Sequence, residues 1–307
     1  QRSEEHLKRF TIAGGIVGIP MLFILLQPDL GTALVFIPIF LVTCFIAGIT
    51  KRYIVYSILL IGLIGFFTIL PLWQIHILKG AFPFLKIFQN LKIVGIMEFS
   101  MILISGIAWY GYKRYRKDYF YWIVYFLSLL IISLLASLVA HRVLKDYQIM
   151  RLIVFLDPYI DPKGSGWNII QSITAIGSGG FWGKGYLQGT QSHYRFLPQQ
   201  STDFIFSIFS EEMGFIGGVL LFSLFLLIVL RLLNIMKTTS DPFGAYIVAG
   251  FSGMLVFHFL INVGMTMGIM PITGIPLIFL SYGGSSLLSA LIGIGISLSI
   301  YVRRFEH

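Results

Sequence analysis

Charge is scarce in this chain. Of 307 residues, 13 are acidic and 22 basic, so 11% carry charge, where a soluble domain carries roughly 25%. That deficit excludes an ordinary soluble enzyme. Cysteine is nearly absent too: Cys44 stands alone in an apolar run, which excludes a disulfide framework. Glycine-rich GSGG (177–180) and GKG (183–185) occur, but GxxxxGK[ST] after a strand does not, so a P-loop is excluded. Gly-x-Ser-x-Gly and a Ser/His/Asp spacing are missing, which leaves serine hydrolysis without support. No paired His, Cys or carboxylate spacing points to zinc. No internal repeat and no secretory signal pattern occur. Gln1 to Arg9 reads as a polar lead into a long helix, so a longer parent chain is expected.

What is present is hydrocarbon. The chain is 57% hydrophobic, with mean hydropathy +0.87. About 20 apolar residues cross a bilayer core, and on that measure the sequence predicts eight spans, near 11–27, 31–49, 53–73, 93–112, 119–140, 204–230, 244–266 and 276–302. The expected fold class is all-α, a polytopic integral membrane protein with a single membrane domain over 1–307. Lys8-Arg9, Lys51-Arg52, Lys113-Arg114-Arg116-Lys117, Arg231 with Lys237, and Arg303-Arg304 all fall at one set of span ends. Positive residues in short loops stay in the cytoplasm, so both termini are expected there. The net charge of +9 then reflects loop bias and contact with anionic lipid, not nucleic acid.

The opposite face receives Asp29, the loop 74–92, the loop 141–203 and the Pro271–Pro276 loop. Residues 75–92 mix aromatics with three lysines, which suits an interfacial segment. The segment 74–140 as a whole holds that stretch and one helix pair. The loop 141–203 is about 60 residues, too long to be structureless unless functional. Within it, 156–158 and 161–164 read as turns, and Trp167 to Ile176 as a short amphipathic helix.

Thr202-Asp203 marks the seam where this loop meets a membrane-length run. Asp203 reads as an N-cap, with Thr202 or Ser201 as competitors, or as an ionised carboxylate suited to general-base work. The roles are compatible. Glu211 and Glu212 lie roughly 12–14 Å along the same helix, where a carboxylate faces a cavity or a polar network. Asp29, in QPDLGT, sits at an outer hairpin and by itself reads as a turn. Arg151, Lys184 and Arg195 are the candidates for binding phosphate; scattered solvated charge is the competing reading. The residues alone leave a transporter or a membrane enzyme acting on an anionic, lipid-linked substrate.

Three segments together, QPDLGTALV (27–35), FLDPYIDPKGSGWNIIQSITAIGSGGFWGKGYLQGTQSHYRFLPQQSTDFIFSIFSEEMGFIGG (155–218) and NVGMTMGIMPITGIPLIFLSYGGSS (262–286), resemble the SEDS family (shape, elongation, division and sporulation). They arrive in the family's order. Gly189 to Ser192 and Pro271 to Leu277 are most like its rod-shape branch. The resemblance implies an inverting peptidoglycan glycosyltransferase at the outer face of the bacterial cytoplasmic membrane. Its substrate would be lipid II, a disaccharide peptide on undecaprenyl diphosphate. Its partners would be a class B penicillin-binding protein and elongation-complex membrane proteins. It implies Asp203 as the catalytic carboxylate, with Asp29 and Glu211 supporting the cavity. Arg151, Lys184 and Arg195, or a divalent cation (Mg or Mn), would meet the diphosphate. A lipid II flippase and a non-catalytic scaffold are the alternatives.

The chain departs from the family's pattern in three ways. Ten spans are the family's number, and four before Thr11 are missing. Spans 93–112 and 119–140 form an extra pair, expected at the periphery. Gln199 and Ser201 stand where the family carries Glu and His, and Asp146 to Arg151 lacks one arginine.

Overall fold

The computed structural model describes residues 2–27, 29–77, 90–193, 197 and 199–303. These residues form helices α1 (Arg2–Leu26), α2 (Leu30–Ile46), α3 (Lys51–His76), α4 (Leu91–Tyr115), α5 (Asp118–Val143), α6 (Asp146–Leu156), α7 (Ser165–Gly179), α8 (Thr190–His193), α9 (Ile205–Thr238), α10 (Pro242–Thr266) and α11 (Gly284–Arg303). Seven are long and apolar enough to cross a membrane, and α2 is a shorter apolar helix. Each of the eight predicted spans thus holds a helix, seven of membrane-crossing length and the 31–49 span only the shorter α2. Exposed side chains such as Ile16, Phe23, Ile107 and Phe215 are the surface that a bilayer would cover.

One predicted boundary is wrong. The last span was expected from 276, but residues 276–283 are turns and extended chain, and α11 begins at Gly284. The apolar run IPLIFL mimics a helix start. Its backbone is instead committed to loop contacts, and Phe279 sits at φ 72°. Of the interfacial stretch expected over 75–92, residues 78–89 lie outside the described residues, while its ends belong to α3 and α4.

Contacts group the chain into two compact units where the sequence suggested one domain. The second, Arg52–Ile160, holds α3 to α6, with α4 and α5 packed closely as neighbours. In it the Tyr56 hydroxyl meets Ser128 Oγ at 3.0 Å. Gly111 of α4 is so close to Phe120 of α5 that a Cβ would come within 2.7 Å of its ring. Glu98, on α4, is buried, with neither carboxylate oxygen hydrogen-bonded.

The first unit, Gln1–Lys51 with Asp161–His307, holds the first and third sequence motifs and residues 161–218 of the second. Its core runs along α9, α10 and α11 through Phe206, Phe225, Val248, Leu255, Phe259, Leu277 and Ala290. Without a hydrophobic force between helices in lipid, small residues allow close approach. Gly250 and Gly253 of α10 bring it against α2, where Cβ atoms would lie 3.1 Å from Thr43 Oγ1 and 3.0 Å from the Pro38 carbonyl. A polar node ties α7, α9 and α10. Ser207 Oγ lies 2.5 Å from Ser172 Oγ, which itself donates to the Thr266 carbonyl at 2.6 Å.

Candidate active site

Asp203 lies in a turn just before α9. The Gln199 carbonyl organises this turn by accepting from the amides of Thr202 (3.2 Å), Asp203 (3.2 Å) and Phe204 (3.5 Å). Gln199 takes φ 52° to do so. The N-cap position of α9 is Phe204, which makes no side-chain cap bond. Asp203, Thr202 and Ser201 thus all precede the cap position, which corrects the capping expectation. The carboxylate is half-buried.

Three consecutive carbonyls of this turn are held from behind. Ser201 accepts from the Tyr282 amide at 2.8 Å. Thr202 accepts from Ser281 Oγ at 2.7 Å. Asp203 accepts from Asn262 Nδ2 at 2.9 Å. Asn262 is fully buried on α10 and also donates to the Ile275 carbonyl at 2.8 Å. His258 Nδ1 lies 3.0 Å from the Pro276 carbonyl. The non-helical stretch 276–283 is thus a clamp on the aspartate's backbone. A carboxylate whose main chain is fixed at three successive points is pre-organised, as a general base must be.

The three motifs meet through the Pro271–Pro276 loop. Gly274 sits at φ 75°, and a Cβ there would lie 3.6 Å from Asp203 Oδ2. Gly31 of the QPDLG segment packs against the same loop. A Cβ on Gly31 would fall 2.3 Å from the Thr273 carbonyl, so only glycine fits. Asp29 caps α2, accepting from the Thr32 amide at 3.0 Å and Thr32 Oγ1 at 2.6 Å. Its carboxylate is exposed.

Glu211 is fully buried and works as a hub. It accepts from Lys184 Nζ at 2.7 Å, from Thr190 Oγ1 and the Thr190 amide at 2.9 Å, and from the Gln191 amide at 3.2 Å. Ser178 Oγ approaches at 3.4 Å. Lys184 also donates to Thr190 Oγ1 at 2.8 Å. The ammonium expected to face a diphosphate is therefore engaged inside the protein. Arg151 belongs to the second unit, on α6, with its guanidinium 5.6 Å over the Tyr147 ring. Arg195 lies outside the described residues.

The backbone next to Glu211 explains why its side chain is placed there. α9 breaks at Gly214, at φ 63°, ψ −163°. In an unbroken helix the Glu211 and Glu212 carbonyls would accept from the amides of 215 and 216. Here they accept instead from Lys184 and Gly185, each at 3.0 Å. The freed amides of Phe215 and Ile216 donate to Gly180 (3.0 Å) and Phe181 (3.2 Å). The glycine-rich segment that carries Lys184, a phosphate-binding candidate in the sequence, is spliced into the helix break. A Cβ on Gly183 would meet the Glu212 carbonyl at 2.1 Å, and one on Gly179 the Ser210 carbonyl at 2.1 Å.

Beside the break an apolar cavity of about 730 Å³ is lined by Phe206, Gly214, Phe222, Phe225, Phe259 and Met267, among others. Its lining suits hydrocarbon and offers no charged group for sugar or phosphate chemistry. The carboxylate of Asp203 lies instead in the loops. Sequence reasoning missed Asn262 and Ser281 as parts of this site. A lone Asn inside a membrane span was the available signal.

Fold and site together define a polytopic integral membrane protein with a clamped carboxylate in the loops at one end of its first unit. The chain belongs to the FtsW/RodA/SpoVE family of cell cycle proteins, whose profile matches residues 1–91 and 81–305. A relative from Treponema pallidum (strain Nichols), named peptidoglycan glycosyltransferase RodA, is 54% identical over 303 residues, covering 99% of this chain and 70% of its own length. That alignment takes in α4 and α5. Peptidoglycan glycosyltransferase MrdB of Escherichia coli (strain K12) is 45% identical over 159 residues, 52% of this chain and 43% of its own. Among solved structures, a chain from a peptidoglycan synthase complex that coordinates polymerization and crosslinking matches with TM-score 0.52 at 24% identity. It covers 97% of this chain and 83% of that one, a likeness of fold.

Proposed function

We propose that this chain polymerises lipid II into glycan strands for cell elongation, as a peptidoglycan glycosyltransferase. The observation that carries the reading is the Asp203 carboxylate, with the carbonyls of 201, 202 and 203 each gripped from behind, in a chain of this family. The acceptor's sugar hydroxyl attacks the anomeric carbon of the donor, and its proton passes to Asp203. The bond from that carbon to the lipid diphosphate breaks, and the diphosphate leaves on its lipid. One displacement inverts the anomeric centre.

The leaving diphosphate needs positive charge. Of the three cations named from the sequence, Arg195 is the candidate retained, since Lys184 serves the internal hub with Glu211 and Arg151 belongs to the second unit. Among the described residues no three His, Cys, Asp or Glu side chains gather as a metal site. A divalent cation would therefore be held by one carboxylate and the substrate's own oxygens, an arrangement Mg tolerates. When bound, the ion would supply charge to the diphosphate.

The positive span ends orient the molecule with Asp203 outside the cytoplasmic membrane and the Lys8 and Arg303 ends inside. A class B penicillin-binding protein, which would crosslink the product, is the expected partner. The test reconstitutes the full-length protein with that partner and lipid II. Glycan polymer lost in Asp203→Ala supports the enzyme. Lipid II movement across the vesicle, unchanged by that substitution and without polymer from either protein, supports a flippase.

A further inference from the structure

We propose that the turn between α4 and α5 is a docking site for the headgroup of an anionic phospholipid. Lys113, Arg114, Arg116 and Lys117 are all exposed there, and none is in an ion pair among the described residues, where Arg9–Glu5 and Lys184–Glu211 are the pairs. The stretch contains one acid, Asp118. A fifth cation is aimed at the same end: the Arg52 guanidinium lies 5.0 Å over the Tyr121 ring and 5.8 Å over Trp122. Stacking of this kind holds a guanidinium in place without cancelling its charge.

The backbone adds a second, independent sign. Arg116 closes α4 in the left-handed region, at φ 50°, ψ 36°, with its amide on the Tyr112 carbonyl at 2.9 Å. Glycine is the ordinary residue at such a helix end, because a Cβ is strained there. Keeping an arginine at this position retains a cation where the backbone favours none. An outlier of this kind points to a use for the side chain.

The occupant must satisfy both charge and grease. Trp109, Tyr110, Tyr115, Tyr119 and Trp122 ring the turn and are exposed. Aromatic side chains of this type settle at headgroup level, between hydrocarbon and water. Free phosphate would meet the cations and leave that girdle unused. A phospholipid with a negative headgroup meets both, and each basic residue near an anionic surface adds attraction of about 1 kcal/mol.

The test uses the full chain in nanodiscs of equal phosphatidylglycerol and phosphatidylcholine, with lipids that remain bound counted by native mass spectrometry. Arg116→Gly should reduce the preference for phosphatidylglycerol about fivefold. It should leave thermal unfolding in lipid-free detergent unchanged or raised, because glycine relaxes the turn. The fourfold variant Lys113→Gln, Arg114→Gln, Arg116→Gly, Lys117→Gln should abolish the preference, whereas Lys237→Gln with Arg303→Gln should retain it. The proposal is overturned if the fourfold variant keeps the wild-type preference or if the control pair loses as much. It is also overturned if inorganic phosphate at matching concentration strips the lipid, which would mark a site for free anions.

Discussion

Asp203 owes its position to residues that carry no chemistry. Asn262 spends its two amide hydrogens on the carbonyls of Asp203 and Ile275, and Ser281 spends its hydroxyl on Thr202. Replacing Asn262 by Leu leaves two carbonyls without donors in a buried place, at about 1–3 kcal/mol for an unsatisfied group. Thermal unfolding should fall accordingly, and polymer yield should fall further than stability alone explains, because the carboxylate is no longer fixed. Unchanged yield in folded Asn262→Leu protein would remove Asn262 from the site. Asp203 itself was legible, since it ends a polar loop at a membrane-length run. Asn262 was not, because its meaning lies in carbonyls far away in sequence.

At the scale of elements, the break in α9 decides how the loops sit. At 34 residues an unbroken α9 would extend about 51 Å, far beyond a hydrocarbon core of about 30 Å. Gly214 and Gly183 allow the 180–185 segment to complete the hydrogen bonds that the break exposes. Gly214→Ala and Gly183→Ala should each cost more than about 3 kcal/mol, since a Cβ meets backbone and φ is positive. Gly177→Ala, where a Cβ meets nothing within 4 Å, should be neutral. Equal melting temperatures for all three would contradict the splice. Glu211→Gln should destabilise by about 1–3 kcal/mol, because buried donors lose a charged acceptor. Adding Lys184→Met should return part of that loss, and strictly additive effects would mean the ion pair is not coupled. Hydropathy could not reveal the break: EEMGFIGG continues smoothly into the apolar run, with glycine the sole cue. The stretch 276–283 misled for the converse reason, as its apolar side chains look like a span while its backbone serves the clamp.

For the whole molecule, apolar run length was enough to find eight helices, because the bilayer dictates that length. Contacts that divide the chain into two units were beyond its reach, since they depend on which helices pair. Orientation is open to direct measurement. Cys44 is buried, so introduced cysteines report with low background. In intact spheroplasts a membrane-impermeant maleimide should label Ser201→Cys and spare Lys113→Cys; the reverse pattern would invert the topology and remove Asp203 from the outer face. The most direct test of the central claim is the initial rate of glycan polymer formation from lipid II. It compares full-length wild type with Asp203→Asn, each with its class B penicillin-binding partner and matched for folded protein. A base of this kind contributes roughly 10²–10⁴-fold, so the variant should fall by at least about a hundredfold. A rate within a few fold of wild type would contradict the assignment of Asp203 as the base.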